Sequence, residues 1–150
     1  MSKKAVLVTG GFDPIHKGHI EYLREAKKLG DILYVGLNSD HWLTRKKGKP
    51  FMDLENRAMV IQSLNMVDEV IIFNDEDNTS CHAIEQTLLF YDEVIFANGG
   101  DRLLSNIPEY EKYQNDKRVK FVFNVGGDKT ESSSCLLNEW KSPKTLRKWG

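Results

Sequence analysis

The 150-residue chain has few cysteines, almost no net charge and no long apolar run. Its two cysteines, Cys81 and Cys135, lie far apart and outside any C-x-x-C pair. This spacing indicates neither a disulfide framework nor a zinc site, and we expect no protein-bound metal. Lysine and arginine number 21 against 22 acidic residues, a formal charge of −1. Composition therefore gives no global electrostatic case for binding nucleic acid.

No apolar stretch approaches the roughly 18 residues that span a bilayer, and the N-terminus lacks the apolar core of a secretory signal. We therefore expect a cytoplasmic protein that does not enter a membrane. The length is typical of one domain, and we predict a single domain over residues 1–150. The candidate flexible segments are 46–50, 102–117 and the tail 141–150.

Short apolar runs alternate along the chain with helical patterns. The runs at 4–9, 32–37, 69–73, 93–97 and 119–123 predict strands, and the periodicity at 20–29, 54–66 and 80–91 predicts helices. Asp53 is placed to cap the second of these helices. Such alternation with short connections favours right-handed crossovers and a mostly parallel sheet with helices on both faces, which is the α/β class.

The most informative segment, Gly10-Gly-Phe-Asp-Pro-Ile-His-Lys-Gly-His19, follows the first predicted strand and opens a helix. A helix that begins here directs amide N–H groups and the positive end of its dipole at whatever lies over the turn, which favours a phosphate. His16 and His19 are three residues apart, so both can face the same anion. The spacing fits neither the dinucleotide fingerprint nor the P-loop. The alternative is that both are ordinary turn and helix-cap histidines.

Residues 10–19 resemble the G-x-F-D-x-x-H-x-G-H element of the cytidylyltransferase-like nucleotidyltransferase superfamily. The similarity extends over about residues 6–137. Asn38-Ser-Asp40 and Gly99-Gly-Asp101 are most similar to heptose-phosphate adenylyltransferase domains. The spacing from His16 to Lys46 to Arg57 is most similar to glycerol-3-phosphate cytidylyltransferases. The resemblance implies a Rossmann-like fold and a homodimer.

The resemblance also implies a reaction, in which CMP or AMP passes from CTP or ATP to a small phosphorylated sugar or polyol and pyrophosphate leaves. The acceptor phosphate is already an anion, so the protein mainly has to position two anions and stabilise charge. Mg²⁺ is expected to arrive with the triphosphate. Two alternatives stay open: a coenzyme-pathway adenylyltransferase acting on phosphopantetheine or nicotinamide mononucleotide, and a nucleotide-binding module without catalysis.

Ligands of open α/β sheets bind beyond the carboxyl ends of the strands, so the residues that follow each predicted strand are the site candidates. The resemblance implies catalytic roles for His16, His19, Lys46 and Arg57. It implies nucleotide binding by Gly10, Gly11, Phe12, Gly18, Gly99, Gly100, Asp101, Arg102, Lys129, Ser132, Ser133 and Ser134. Asp13 and Asp40 are the candidates on the acceptor side.

Each candidate also has an ordinary structural interpretation. Lys46 lies in a basic run at 45–49 that is equally typical of a solvated loop, and Arg57 could be an exposed helical arginine. Asp13 could cap its own turn, the glycine pair could form a plain turn, and the serine run could be a helix cap. The sequence also departs from the glycerol-3-phosphate branch, which carries an arginine where this chain has Gly126-Gly-Asp-Lys129.

Overall fold

The computed structural model describes residues 3–99, 107–126, 137, 138 and 140. Its elements are β1 (Lys4–Gly10), α1 (Lys17–Lys27), β2 (Ile32–Leu37), α2 (Asp40–Lys47), α3 (Leu54–Gln62), β3 (Glu69–Ile72), α4 (Cys81–Leu88), β4 (Glu93–Gly99), α5 (Pro108–Tyr113) and β5 (Val119–Val125). Within the described ranges the strands form one sheet in the order β3-β2-β1-β4-β5, and every neighbouring pair is parallel. The predicted α/β class is confirmed.

The central strand β1 is buried on both faces. Val6 packs with Leu23 of α1 and Ile61 of α3 in one apolar cluster. Leu7 points the other way and packs with Ile84 of α4, in a cluster that α5 also joins. Helices therefore cover both faces of the sheet, as the apolar run Ala5-Val-Leu-Val8 of the central strand requires.

The parallel arrangement brings the carboxyl ends of the strands to one edge. Gly10 at the end of β1 pairs with Leu37 at the end of β2, and the amide of Asn38 donates to the Gly10 carbonyl at 3.0 Å. The turn that leads into α1 and the turn that leads into α2 therefore start side by side. This is the edge at which open α/β sheets bind ligands.

Helix α2 corrects the prediction of a flexible basic loop at residues 46 and 47, the first part of the segment 46–50. Ser39 caps the helix by accepting from the Trp42 amide, Leu43 is buried, and the helix ends where Gly48 takes a positive φ of 95°. The helix could not be predicted from the apolar pattern, because only one of the eight residues of α2 is fully buried. Residues 45–47 are thus held on a helix rather than in a loop.

The described part of the segment 102–117 contains α5. The sequence predicts this segment to be flexible. Tyr113 of α5 is buried in the cluster shared with α4, so this part of the segment is a helix packed against the sheet. Among the described residues, no helix combines the length and the apolar character needed to cross a membrane.

Candidate active site

The two histidines predicted to face one anion lie together at the start of α1. His16 is the N-cap residue, and its Nδ1 accepts from the Gly18 amide at 3.1 Å. In return His19 Nδ1 accepts from the His16 amide at 3.2 Å. Two imidazoles therefore form the reciprocal capping arrangement that serine and glutamate commonly provide. Their rings stack with centroids 3.9 Å apart and planes at 29°.

These hydrogen bonds determine the tautomer of both rings. Because each Nδ1 accepts a hydrogen bond, the proton of a neutral ring must be on Nε2. The Gly18 amide is already engaged by His16, so this helix end combines ring N–H groups with its dipole, and His16 Nε2 is buried. Both features favour an anion.

Phe12 and Gly18 hold the histidine pair from two sides. The buried Phe12 ring meets His19 edge-on, with centroids 4.9 Å apart. A Cβ on Gly18 would lie 2.9 Å from His16 Cε1, so a larger residue would have to displace that ring. Phe12 was predicted to bind nucleotide, and the structure places its side chain in the core behind His19. Its effect on a ligand would pass through that histidine.

Helix α2 packs directly on the glycine turn. A Cβ on Gly11 would lie 2.8 Å from Leu43 Cδ2 and 3.7 Å from the Trp42 ring, so a larger residue would have to displace the Leu43 side chain. Lys46 is one turn along α2, with Nζ 4.7 Å from the centroid of the Trp42 ring. The turn, the indole and the lysine thus form a continuous group next to α1.

The three consecutive cations at the end of α2 have different surroundings. Arg45 donates to the Asp75 carbonyl at 2.8 Å and to Asn78 Oδ1. Lys47 lies 3.1 Å from the Asp13 carboxylate and also donates to the Asp13 carbonyl. Lys46 Nζ lies over the Trp42 ring, and its catalytic role stays a prediction.

Asp13 is a structural anchor in this fold. It is 2% exposed, and its carboxylate oxygens accept from the amides of Phe51 and Met52, each at 2.6 Å. Together with the ion pair to Lys47, these bonds fasten the loop before α3 to the histidine turn. Of the two roles considered for Asp13, structural and acceptor-side, the described contacts supply the structural one.

Among the described residues, Arg57 is the largest fully buried side chain, at 1% exposure. Its guanidinium donates to the carbonyls of Met52, Gly11 and Asn38 at 2.9, 3.1 and 2.7 Å, and to Asp40 Oδ1 at 2.6 Å. The interpretation of Arg57 as an exposed arginine is wrong. The side chain joins the ends of β1 and β2 to the loop before α3, and its role at a phosphate stays a prediction.

The second carboxylate predicted on the acceptor side, Asp40, begins α2. Besides its bond to Arg57, its Oδ2 accepts from the Leu54 amide at 3.2 Å, and its side chain is 41% exposed. Asp13 therefore binds the loop before α3, and Asp40 binds the first residue of that helix. Among the described residues, no group of three or more histidine, cysteine or acidic side chains could hold a metal ion.

Gly99 ends β4 close to α1. A Cβ there would lie 3.2 Å from the Tyr22 ring, and the Tyr22 hydroxyl donates to the Ala97 carbonyl at 2.5 Å. The other predicted nucleotide contacts, Gly100, Asp101, Arg102, Lys129, Ser132, Ser133 and Ser134, lie outside the described residues. Their roles stay predictions.

Two residues that sequence reasoning passed over belong to this edge of the sheet. Asp75 is 3% exposed and contacts the segment before α2, and Trp42 lies between Gly11 and Lys46. The rule that ligands gather after strand ends would have drawn attention to Asp75, which follows β3. For Trp42, the available signal was a tryptophan three residues before the basic run at 45–49.

Cys81 packs in the apolar cluster with Leu7 and Ile84. Burial raises the pKa of its thiol.

Comparison with known proteins places this architecture in a family. The sequence profile described as cytidylyltransferase-like matches residues 7–149. Over 131 residues the chain is 37% identical to the bifunctional protein HldE of Geobacter sulfurreducens, covering 85% of this chain and 26% of that protein. Over 76 residues it is 47% identical to HldE of Helicobacter pylori strain HPAG1, covering 49% of this chain and 16% of that protein. The chain thus spans about a quarter or less of these curated relatives.

A solved structure shares the fold. The lipopolysaccharide core biosynthesis protein from Thermoplasma volcanium GSS1 superposes with a TM-score of 0.65 at 30% identity. The alignment covers 81% of this chain and 96% of that chain. The likeness therefore includes most of the sheet and the helices around it.

Proposed function

This chain belongs to the cytidylyltransferase-like family of nucleotidyltransferases, and we propose that it transfers a nucleotidyl group from ATP or CTP to a phosphorylated sugar or polyol. The observation that carries this proposal is the pair of stacked imidazoles at the start of α1, with both Nδ1 atoms acting as acceptors. That arrangement leaves Nε2 as the donor of each neutral ring, at a helix end whose dipole favours negative charge.

The proposed step is a substitution at the α-phosphorus of the triphosphate. An oxygen of the acceptor phosphate forms the new bond to phosphorus, and the bond from phosphorus to the oxygen bridging the α- and β-phosphates breaks. The electron pair of that bond leaves with pyrophosphate. No base is required because the acceptor oxygen is already anionic, so catalysis consists of positioning and charge stabilisation.

In this proposal the described residues divide the work between the phosphates and the scaffold. His16 and His19 donate from Nε2 to the triphosphate, and Lys46 supplies the cation from α2. Arg57 and Asp13 fasten the histidine turn, the end of β2 and the loop before α3 into one unit.

Magnesium enters only as the counter-ion of the triphosphate. The Asp13 and Asp40 carboxylates bind protein groups, so they do not form a ready ligand set. The phosphate oxygens are hard ligands that Mg²⁺ accepts readily, together with water. No step of the proposal passes through the ion.

The relatives favour a phosphorylated sugar as the acceptor and ATP as the donor. The similarity to HldE lies in the heptose-phosphate adenylyltransferase branch. The Thermoplasma volcanium structure is described as a lipopolysaccharide core biosynthesis protein, which fits a sugar acceptor. Glycerol-3-phosphate with CTP is the second pair to test. The homodimer and the cytoplasmic location stay predictions.

Pyrophosphate release tests the proposal. The purified chain is incubated with magnesium and either ATP or CTP, together with heptose 1-phosphate or glycerol 3-phosphate. We expect pyrophosphate and a nucleotidyl-sugar or nucleotidyl-polyol in equal amounts. Turnover with phosphopantetheine or nicotinamide mononucleotide alone would replace the proposal with the coenzyme-pathway alternative. Binding of a triphosphate without turnover on any acceptor would favour the non-catalytic module.

A further inference from the structure

Helix α2 is too short to be stable by itself. It has eight residues, whereas isolated helices below about 12–15 residues are marginal in water. Its position, and with it the position of Lys46, must therefore come from contacts with the rest of the fold. Leu43 supplies the apolar part of those contacts on the glycine turn.

Asp75 supplies polar contacts at the start of the helix. Its Oδ2 accepts from the Ser39 amide at 2.8 Å and from Asn38 Nδ2 at 3.1 Å, and its Oδ1 accepts from the Ser39 hydroxyl at 2.8 Å. The same hydroxyl accepts from the Trp42 amide at 3.0 Å. One buried carboxylate thus fixes the capping residue of α2.

The main chain of Asp75 reaches the other end of α2. Its carbonyl accepts from Arg45 at 2.8 Å, in the last turn of the helix. A single residue after β3 therefore contacts α2 at both ends. Between these contacts lies Trp42, which carries Lys46 on its ring.

We propose that Asp75 is a positioning residue, which sets the place of the Lys46 ammonium through Ser39, Trp42 and helix α2. The inference rests on the proposed function, because it gives Lys46 a task at the phosphates. The described contacts of Asp75 are all with protein groups, so its effect on a reaction would pass through the helix. A small displacement of a charged group can cost much of its contribution to the rate.

The test is a double-mutant cycle between Asp75→Asn and Lys46→Ala. Asparagine keeps the size of the side chain but turns one acceptor into a donor facing the Ser39 and Asn38 donors. We expect Asp75→Asn to lower kcat about ten-fold, with a smaller change in KM for the triphosphate. In the Lys46→Ala background the same change should cost less than about two-fold, because coupled residues are not additive.

Asp77→Asn is the matched control. Asp77 lies in the same loop, its Oδ1 accepts from the amide and hydroxyl of Thr79, and its Oδ2 lies 4.0 Å from His82 Nε2; these partners are outside α2. We expect this variant to retain wild-type kcat. Should Asp75→Asn fail to fold, as judged by its thermal unfolding, Ser39→Ala takes its place in the cycle. Ser39→Ala removes the hydroxyl that joins Asp75 Oδ1 to the Trp42 amide.

The outcomes separate this inference from the proposed function. An equal loss of activity in both backgrounds would show a general structural role and overturn the inference. Wild-type activity of both Asp75→Asn and Ser39→Ala would also overturn the inference. Wild-type activity of the single variant Lys46→Ala would overturn it as well. A wild-type chain that transfers no nucleotide to any acceptor would instead overturn the proposed function.

Discussion

Replacing Arg57 by methionine removes the guanidinium that joins three parts of the site. The side chain is fully buried, and its N–H groups bind the carbonyls of Gly11, Asn38 and Met52 together with the Asp40 carboxylate. Methionine matches the aliphatic part of the arginine side chain and has no donors, so it leaves the acceptors without partners. We predict a large loss of stability that reaches the site as well.

The size of the loss follows from the groups left behind. A buried acceptor that loses its donor costs about 1–3 kcal/mol, and three carbonyls are affected. The Asp40 side chain is 41% exposed, so water screens its lost ion pair and we assign less than about 1 kcal/mol to it. Water that enters to bind the freed carbonyls offsets part of this total. The neutral methionine also avoids the cost of burying a charged guanidinium, which offsets a further part. We expect the free energy of unfolding to fall by about 3–5 kcal/mol, most of it from the three carbonyls that lose their donor.

Urea unfolding followed by circular dichroism measures this change as a lower midpoint at constant slope. The control is Arg24→Met, because Arg24 is an exposed arginine on α1, and such surface changes stay within about 0.5 kcal/mol. Arg57→Lys should recover only part of the loss, since one ammonium cannot meet all the acceptors of a planar guanidinium. A stability of Arg57→Met within about 1 kcal/mol of the wild type would refute the assignment.

Three further predictions concern the histidines and the helix that carries them. His16→Ala should lower kcat/KM for the triphosphate by about 10²–10³, the usual cost of one donor to developing charge; an unchanged value in the pyrophosphate assay would contradict this. Gly18→Ala should lower kcat at least about ten-fold without lowering the melting temperature, because its Cβ displaces the His16 ring while alanine favours the helix. Partial burial raises the pKa of Asp68, but hydrogen bonds from Lys27 and the Leu33 amide outweigh it and leave the pKa below its ordinary 3.8. Asp68→Asn should therefore cost under about 1 kcal/mol of unfolding free energy at pH 7, and urea titrations should show the difference vanish below pH 3.8 rather than persist.

The sheet could be predicted from the sequence because its strands are buried on both faces. The apolar runs that form β1, β2 and β4 have no polar interruption, and glycine or acidic residues mark their ends. The capping role of Asp53 was also predictable, and its Oδ1 accepts from the Asn56 amide at 2.9 Å. Helix α2 was not, since its only fully buried residue is Leu43 and no periodic stripe forms.

The histidine pair could be placed from spacing alone, because residues three apart share a helix face. The surroundings of Arg57 and Asp13 could not, since they depend on main-chain groups from distant segments. Main-chain carbonyls and amides look alike in every sequence, so nothing marks Gly11 or Met52 as a partner. The same holds for Asp75, whose contacts with Ser39 span 36 residues.

The response of the imidazole nitrogens to a triphosphate tests the central claim most directly. In protein labelled with nitrogen-15 at its four histidines, variants assign each ring, and spectra are recorded with and without a non-hydrolysable triphosphate and magnesium. We predict that neutral His16 and His19 carry their proton on Nε2, and that both Nε2 signals shift on saturation while those of His82 on α4 do not. Saturation that leaves the Nε2 signals of His16 and His19 unmoved would contradict the account.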